Sequence, residues 1–375
     1  MKYRKLGNSD LEVSAIGLGG NNFGWWADEE SSLAVIGKAL ELGINFFDTA
    51  NVYGEGKSEE WLGRVLKEHR SKVVIATKFG YEFVRPGGAA DTIKESVEGS
   101  LKRLGSDYID LLQMHFPDQS TPIEETMKAL DELVKEGKVR AVGCSNFSSW
   151  ELADAIWTSK ANDFTEFVSL QSPYNLINRQ LEVNHIPCCV SHNVGIVTYT
   201  PLGGGFLTGK YKRGQDNPDA TRFAKVPVLG ALAMQENNYN TVEKLQAFVE
   251  KSGHKLSELA IAWLLTRPAV STVIVGATKP EQVEANVKSI EWELTGDELN
   301  EIDNITQAHQ GIGINTPGTQ KTSCPWCSLL TKIPITENDI INGVWKFAPT
   351  DGFECSDNKT AMCDSCFAPF TVTIK

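Results

Sequence analysis

No apolar run in this chain approaches the roughly 20 consecutive residues that a membrane-spanning helix needs. The opening stretch, MKYRKLGNSD, carries no apolar core of the kind found in secretory leaders. The cytoplasm is therefore the expected compartment. Basic charge is in deficit: 36 Lys and Arg face 48 Asp and Glu, a formal net charge of −12. That balance speaks against nucleic acid or an anionic membrane surface as partner, while local cations still decide whether a phosphate-bearing small molecule binds. Cysteine is scarce in the body of the chain. Only Cys144, Cys188 and Cys189 lie there; Cys324, Cys327, Cys355, Cys363 and Cys366 crowd the last stretch. The split marks a boundary near residue 310. Internal repeats and low-complexity tracts are missing too. So is the G-x-G-x-x-G spacing that opens a dinucleotide-binding open sheet, since the first apolar run ends GLGGNNFG.

What is present is a rhythm. KYRKL–GNSD–LEVSA reads as a hairpin around a polar turn. Eight short apolar strands follow, each succeeded by at least one helical pattern. Gly43 and Gly105 stop two of the helices, a Ser caps another, and Pro122 opens a third. EVNHIPCCVSHN reads as a helix with Pro187 inside it. Near-continuous apolar strands alternating with helices imply a parallel sheet covered on its outer face. Eight such units over about 300 residues fit a closed (β/α)8 TIM barrel, with a doubly wound open sheet as the alternative. The expected division is 1–308 for the barrel and 309–375 for a Cys-containing extension.

In such a barrel the chemistry sits at the C-terminal ends of the strands. Here those ends are polar: Asp48, Lys78, His115, Ser145-Asn146, Gln171 and Tyr199-Thr200. Tyr53 follows Asp48 in a short loop. An ionised Asp at the mouth of a core needs a partner, and Lys78 supplies one. A nearby ammonium favours phenolate and is expected to lower the Tyr53 pKa from about 10. A neutral His can orient a carbonyl by donating a hydrogen bond. Together these groups would deliver a proton to a developing alkoxide. With no nucleophile and no metal triad among them, a hydride source is implied, and a nicotinamide is the obvious one.

DTANVYG, IATKFG, LLQMHFPD, VGCSNF, YTPLGGGFLTGKY and VIVGATKPEQVEANVK resemble, in order, signature stretches of the aldo-keto reductase superfamily. The resemblance runs from about Tyr3 to Asp303. It points to the bacterial branch related to general stress and sugar-type reductases and to potassium-channel β subunits. It implies reduction of an aldehyde or ketone with NADPH and a catalytic quartet of Asp48, Tyr53, Lys78 and His115, with Tyr53 as proton donor. It assigns Ser145, Asn146 and Gln171 to the nicotinamide carboxamide and Tyr199 to the face of its ring. Thr200, Pro201, Leu202 and the Gly203–Gly205 loop fall to the pyrophosphate, with Gly204 and Lys210 in the set. Gly276, Thr278, Lys279, Gln282 and Asn286 fall to the adenosine and 2′-phosphate end. Gly20, Asn21 and Asp48 join the cofactor set, and Arg222 is a further candidate for the anion. Two positions depart from many relatives: Ala285 stands where a Glu is frequent and Gln282 where an Arg is. Preference for NADPH over NADH then rests mainly on Lys279. The run Gly204 to Lys210 starts like a P-loop, but Tyr211 stands where a Ser or Thr should bind Mg²⁺.

Phe23 and Trp25, with Trp26 beside them, are expected to form an apolar wall at the rim, so the substrate set is Phe23, Trp25, Tyr53 and His115. In the tail, Cys324-x-x-Cys327 and Cys363-x-x-Cys366 have the form of a Zn²⁺ site. A redox dithiol or disulfide and no defined role stay open beside zinc. The family's C-terminal region often crosses the active-site rim, so the tail is expected over the substrate pocket. The rival function is a nicotinamide-binding regulatory or sensor subunit with little turnover. A small carbonyl compound is the expected partner, and oligomeric state is not legible.

Overall fold

The computed structural model describes residues 1–81, 87–219 and 221–307, with strand segments at 319–323, 330–334, 341–345, 358–362 and 369–374. Strands β1 (Tyr3–Lys5) and β2 (Glu12–Ser14) form the expected antiparallel hairpin. Then come β3 (Ile16–Gly19), β4 (Phe46–Asp48), β5 (Val74–Phe79), β6 (Ile109–Met114), β7 (Val139–Ser145), β8 (Phe167–Pro173), β9 (Gly195–Tyr199) and β10 (Val270–Gly276). These eight are parallel and close into a barrel in which β10 returns to pair with β3. The fold is a (β/α)8 barrel.

The helices are α1 (Glu29–Glu41), α2 (Lys57–Leu66), α3 (Ala90–Leu104), α4 (Ile123–Lys135), α5 (Ser149–Asn162) and α6 (His185–His192). They continue with α7 (Arg222–Lys225), α8 (Pro227–Ala233), α9 (Glu236–Ser252), α10 (Leu256–Leu265), α11 (Pro280–Lys288) and α12 (Gly296–Gln307). Local chemistry sets their limits. Gly105 ends α3 in the left-handed region, where a side chain is strained. Ser148 and Glu151 form a reciprocal capping box at the start of α5. The helix expected around Pro187 is shorter than its pattern: α6 starts at His185, so Pro187 falls in the first turn, where its missing N–H has no helical acceptor to lose.

Strands β5 and β6 are buried at every residue, as both faces of a covered parallel strand must be. One core cluster lies between strands and helices. A second joins Leu6, Leu11 and Val13 of the hairpin to Phe46, Val74, Leu111, Val168, Val197 and Ile274 from the barrel strands. The hairpin therefore plugs the N-terminal mouth. Gly7 makes that fit possible: its φ is +55°, and a Cβ there would lie 2.1 Å from the Val168 carbonyl oxygen. The C-terminal mouth is left for the polar strand ends.

Beyond α12, segments 319–323 and 330–334 pair antiparallel, and 369–374 lies between 341–345 and 358–362. Cys324, Cys327, Cys355, Cys363 and Cys366, and the metal site expected of them, lie outside the described residues. Among the described residues no group of three or more His, Cys, Asp or Glu is placed to hold a metal ion. None of the described helices is long and apolar enough to cross a membrane.

Candidate active site

The barrel register gathers the polar strand ends. Lys78 on β5 stands beside Gln113 on β6, Gln113 beside Gly143 on β7, and Ser145 beside Gln171 on β8. Lys78 is 0% exposed. Its Nζ donates to both oxygens of Asp48 at 2.8 Å and to the Thr49 carbonyl at 2.7 Å. Gln171 Nε2 donates to Asp48 Oδ1 at 2.7 Å, and Gln113 Nε2 reaches the same oxygen at 3.4 Å. Gln171 Nε2 also lies 3.2 Å from Gln113 Oε1. The carboxylate is thus the hub that keeps a buried ammonium charged. Burial works against the Lys78 charge, but Asp48, joined by Tyr53, overrides it and holds the Lys78 pKa above its ordinary value.

Tyr53 sits with its ring centroid 5.0 Å from Lys78 Nζ, and its hydroxyl is hydrogen-bonded to Lys78 and Asn21. Its pKa departs from the sequence expectation. Burial raises it most, the Lys78 charge lowers it, Asp48 raises it again, and the net direction is upward. The reason is that a phenolate here would be a buried anion near a carboxylate, and Lys78 compensates only in part. The phenol is held as a proton carrier, with two groups ready to stabilise the anion once the proton leaves.

His115 follows β6 and is buried. Burial, helped by the Lys78 charge, pushes its pKa down to about 3, so the ring is neutral. Its Nδ1 is buried with no hydrogen-bond partner. The ring meets Tyr53 edge-on at 5.9 Å. Asn146, at φ +61°, donates to the His115 carbonyl at 3.0 Å and to Ser145 Oγ at 3.1 Å. The Tyr199 hydroxyl donates to Asn146 Oδ1 at 2.7 Å, and burial, then Tyr53, pushes the Tyr199 pKa up to about 12. Asp48, Tyr53, Lys78, His115, Ser145, Asn146, Gln171 and Tyr199 thus form one connected rim.

The remaining candidates lie around it. Gly20 and Asn21 are in the turn after β3, where Ser58 Oγ donates to the Gly20 carbonyl at 3.0 Å. Thr200 has φ +51°, its carbonyl held by Asn175 Nδ2 at 2.9 Å. Pro201 and Leu202 lead into a turn where Gly203, Gly204 and Gly205 have φ of +56°, +69° and +99°. A Cβ on Gly204 would lie 2.8 Å from Phe223. Lys210 Nζ lies 5.2 Å from the Tyr211 ring centroid. The Arg222 guanidinium lies 5.2 Å from the Trp26 ring centroid, and its buried Nε has no hydrogen-bond partner. Gly276 ends β10, and Lys279 caps α11, which carries Pro280 in its first turn and Asn286 further along. Gln282 Oε1 accepts from the Thr278 N–H at 2.8 Å, so this side chain braces the loop.

A second expectation is corrected. Phe23 does not line the rim: it is 0% exposed and belongs to the core between strands and helices. Its neighbour Trp25 is exposed, 6.1 Å from Tyr53. The sequence reading missed Gln113, although in LLQMHF it precedes His115 by two and so shares its face of the strand. It also missed Tyr81 and Phe116, whose rings stand 5.0 and 5.1 Å from His115.

A model described as the aldo/keto reductase family matches residues 15–307. A probable voltage-gated potassium channel subunit beta from Arabidopsis thaliana is 35% identical, over 78% of this chain and 92% of its own length. An L-glyceraldehyde 3-phosphate reductase from Escherichia coli is 35% identical, over 77% of this chain and 88% of its own. An aldo-keto reductase from Bacillus subtilis is 35% identical, over 82% of this chain and 94% of its own.

Proposed function

The chain belongs to the aldo/keto reductase family of oxidoreductases, and from that premise we propose that it reduces an aldehyde or ketone to an alcohol with NADPH, Tyr53 giving the proton. The residues present fit a dinucleotide. Arg222 has a buried, unpartnered Nε suited to a phosphate oxygen. The three successive positive-φ glycines, Gly203 to Gly205, permit close backbone approach to a pyrophosphate. Lys279, at the N-terminal cap of α11, pairs a cation with a helix N-terminus for the 2′-phosphate. Tyr199 offers a ring face, and Ser145, Asn146 and Gln171 offer polar groups to a carboxamide.

Bound NADPH supplies the hydride. The chain's own groups manage the oxygen. Tyr53 and His115 converge on the carbonyl oxygen, His115 as a neutral group that adds no charge of its own. As negative charge builds on that oxygen, the Tyr53 proton moves to it. Lys78 and Asn21 stabilise the phenolate left behind. Asp48, fixed by Gln171 and Gln113, holds the ammonium in place. The observation that carries this reading is the buried Lys78 held between Asp48 and Tyr53.

Tyr53→Phe tests it. Turnover of a generic aldehyde, followed by NADPH absorbance, should fall by about 10²- to 10⁴-fold, the usual share of general acid catalysis. NADPH affinity, followed by its fluorescence, should stay within about threefold, a change under 1 kcal/mol. Full turnover in that variant defeats the proposal. The likeness to a channel subunit favours a second reading, a nicotinamide-binding regulatory subunit. Tight NADPH binding with turnover far below the roughly 1 to 10³ per second common to enzymes would favour it. We place either protein in the cytoplasm.

A further inference from the structure

A cavity of about 530 Å³ opens beside the hairpin, at the N-terminal mouth of the barrel. Small-molecule sites run from roughly 300 to 1,000 Å³, so its size is that of a ligand pocket. Its walls come from β1 and from the turn that joins α10 to β10. They carry three cations, Arg4, Lys5 and Arg267, with the hydroxyls of Thr266 and Ser271 and no Asp or Glu. In a chain of formal net charge −12 this is a local reversal of sign. Another cavity, of about 510 Å³, sets Glu258, Glu291 and Glu293 against Lys288, so its charge repels anions.

Little in the fold neutralises the three cations. Arg4 donates from Nη1 to the Val270 carbonyl at 2.7 Å and from Nη2 to the Leu265 carbonyl at 2.6 Å. Those bonds fix the guanidinium and leave its Nε–H and one hydrogen on each terminal nitrogen unused. Among the described residues Arg4 has no ion pair, and burial lowers its pKa with no anion to oppose it. Lys5 stands opposite Glu12 in the hairpin register but is not ion-paired with it. Arg267 has Asp303 at 3.7 Å, yet that carboxylate already accepts from Arg179 at 2.7 Å. The Arg267 Nε and Nη2 are buried with no hydrogen-bond partner, which is costly for a charged donor. Guanidinium groups take phosphate oxygens in pairs, and an ammonium adds a point charge. A phosphate, at about −1.5 to −2, neutralises more of three cations than a carboxylate does.

We propose that this cavity binds a phosphate group, at a second anion site separate from the groups assigned to the dinucleotide. Strand β10 runs from Val270 beside the cavity to Gly276 at the other mouth, roughly 20 Å at about 3.3 Å per residue. A bound phosphate joins β1 to the turn before β10 and, through Arg267, to Asp303 on α12. It therefore stabilises the plugged mouth and leaves the reacting groups untouched. The N-terminal face of such barrels serves stability rather than catalysis, and this ligand acts in the same sense.

The test titrates inorganic phosphate and, separately, sn-glycerol 3-phosphate into the full chain by calorimetry, with NADPH in excess and chloride held constant. At least one should bind with a Kd below about 1 mM and raise the thermal midpoint as its concentration grows. Lys5→Met alters an exposed side chain, so the fold should persist while binding weakens about fivefold or more; Lys5→Arg should restore it. Arg267→Met should weaken binding about tenfold or more, and Lys279→Ala should leave it within about twofold. Tighter binding of glycerol 3-phosphate assigns the site to a phosphorylated metabolite; equal or weaker binding assigns it to free phosphate. No binding of either up to about 10 mM, or the same Kd in the parent, Lys5→Met and Arg267→Met, overturns the proposal. So does a loss confined to Lys279→Ala, which would place the phosphate among the dinucleotide groups.

Discussion

His115 stays an uncharged ring because two adjacent facts agree: it is 7% exposed, and the Lys78 ammonium lies near. Its pKa near 3 has a consequence for stability. In the unfolded chain a His takes up a proton near pH 6.5. Between that value and about 3 the unfolded state binds the extra proton, so acidification favours unfolding; above 6.5 the residue contributes nothing. From pH 6.5 to 4.5 the parent should lose about 2 to 3 kcal/mol more than His115→Asn does, by urea melts at each pH. Parallel slopes for the two proteins would show that His115 protonates freely when folded. Individual residues of this rim were legible where a charge interrupts an apolar strand, as Asp48 and Lys78 do. The upward pKa of Tyr53 was not, because its sign depends on how much water the fold removes. Nor was the place of Phe23, because Phe23 and Trp25 differ in burial and not in residue type.

Helices and strands are joined by a buried ionic cluster on the far side of β8. Arg179 is paired through Nε and Nη2 with Glu182 at 2.8 Å, and its Nη1 donates to Asp303 Oδ1 at 2.7 Å and Thr306 Oγ1 at 2.6 Å. Tyr174 donates to Glu182 at 2.6 Å, and Trp263 lies under the guanidinium at 4.9 Å. This ties α12 to the segment leaving β8. Arg179→Met would leave Glu182 buried without its cation and Asp303 with only Arg267, 3.7 Å away, a loss of about 3 to 5 kcal/mol. The thermal midpoint should fall by about 10 °C. Adding Glu182→Gln, which removes the unpaired charge and keeps an acceptor for the Tyr174 hydroxyl, should recover part of the loss. A single variant that melts like the parent would remove Arg179 as the tie. Elements were legible in proportion to their local punctuation: Gly43, Gly105 and Ser148 each mark a helix end. The pairing of Arg179 with Asp303 joins residues 124 positions apart, and no local pattern announces it. The short helices α7 and α8 have too few turns to show a period.

As a whole molecule, the barrel has no free edge, because β10 pairs with both β9 and β3. Its N-terminal mouth is filled by the hairpin, and α12 is anchored through Asp303. The two core clusters run from Leu6 to Ile302. Among the described residues both core clusters are supplied from before 308, and a closed sheet needs no further strand to satisfy its backbone. In the sequence the rhythm of strand and helix stops near residue 308, and the division proposed there rests on that rhythm; the cysteine pairs beyond it belong to no such repeat. A chain ending after residue 310 should therefore unfold in one cooperative step, with a midpoint within about 3 °C of the full chain, a change of about 1 kcal/mol. Its NADPH affinity should be preserved, because the groups proposed to hold the dinucleotide, from Gly20 to Asn286, all precede the cut. Calorimetry and a fluorescence titration on both lengths decide the matter. A midpoint lower by 10 °C or more, or a broad non-cooperative melt, would make the tail part of the barrel's own core. An intact melt with lost NADPH binding would place the tail over the cofactor.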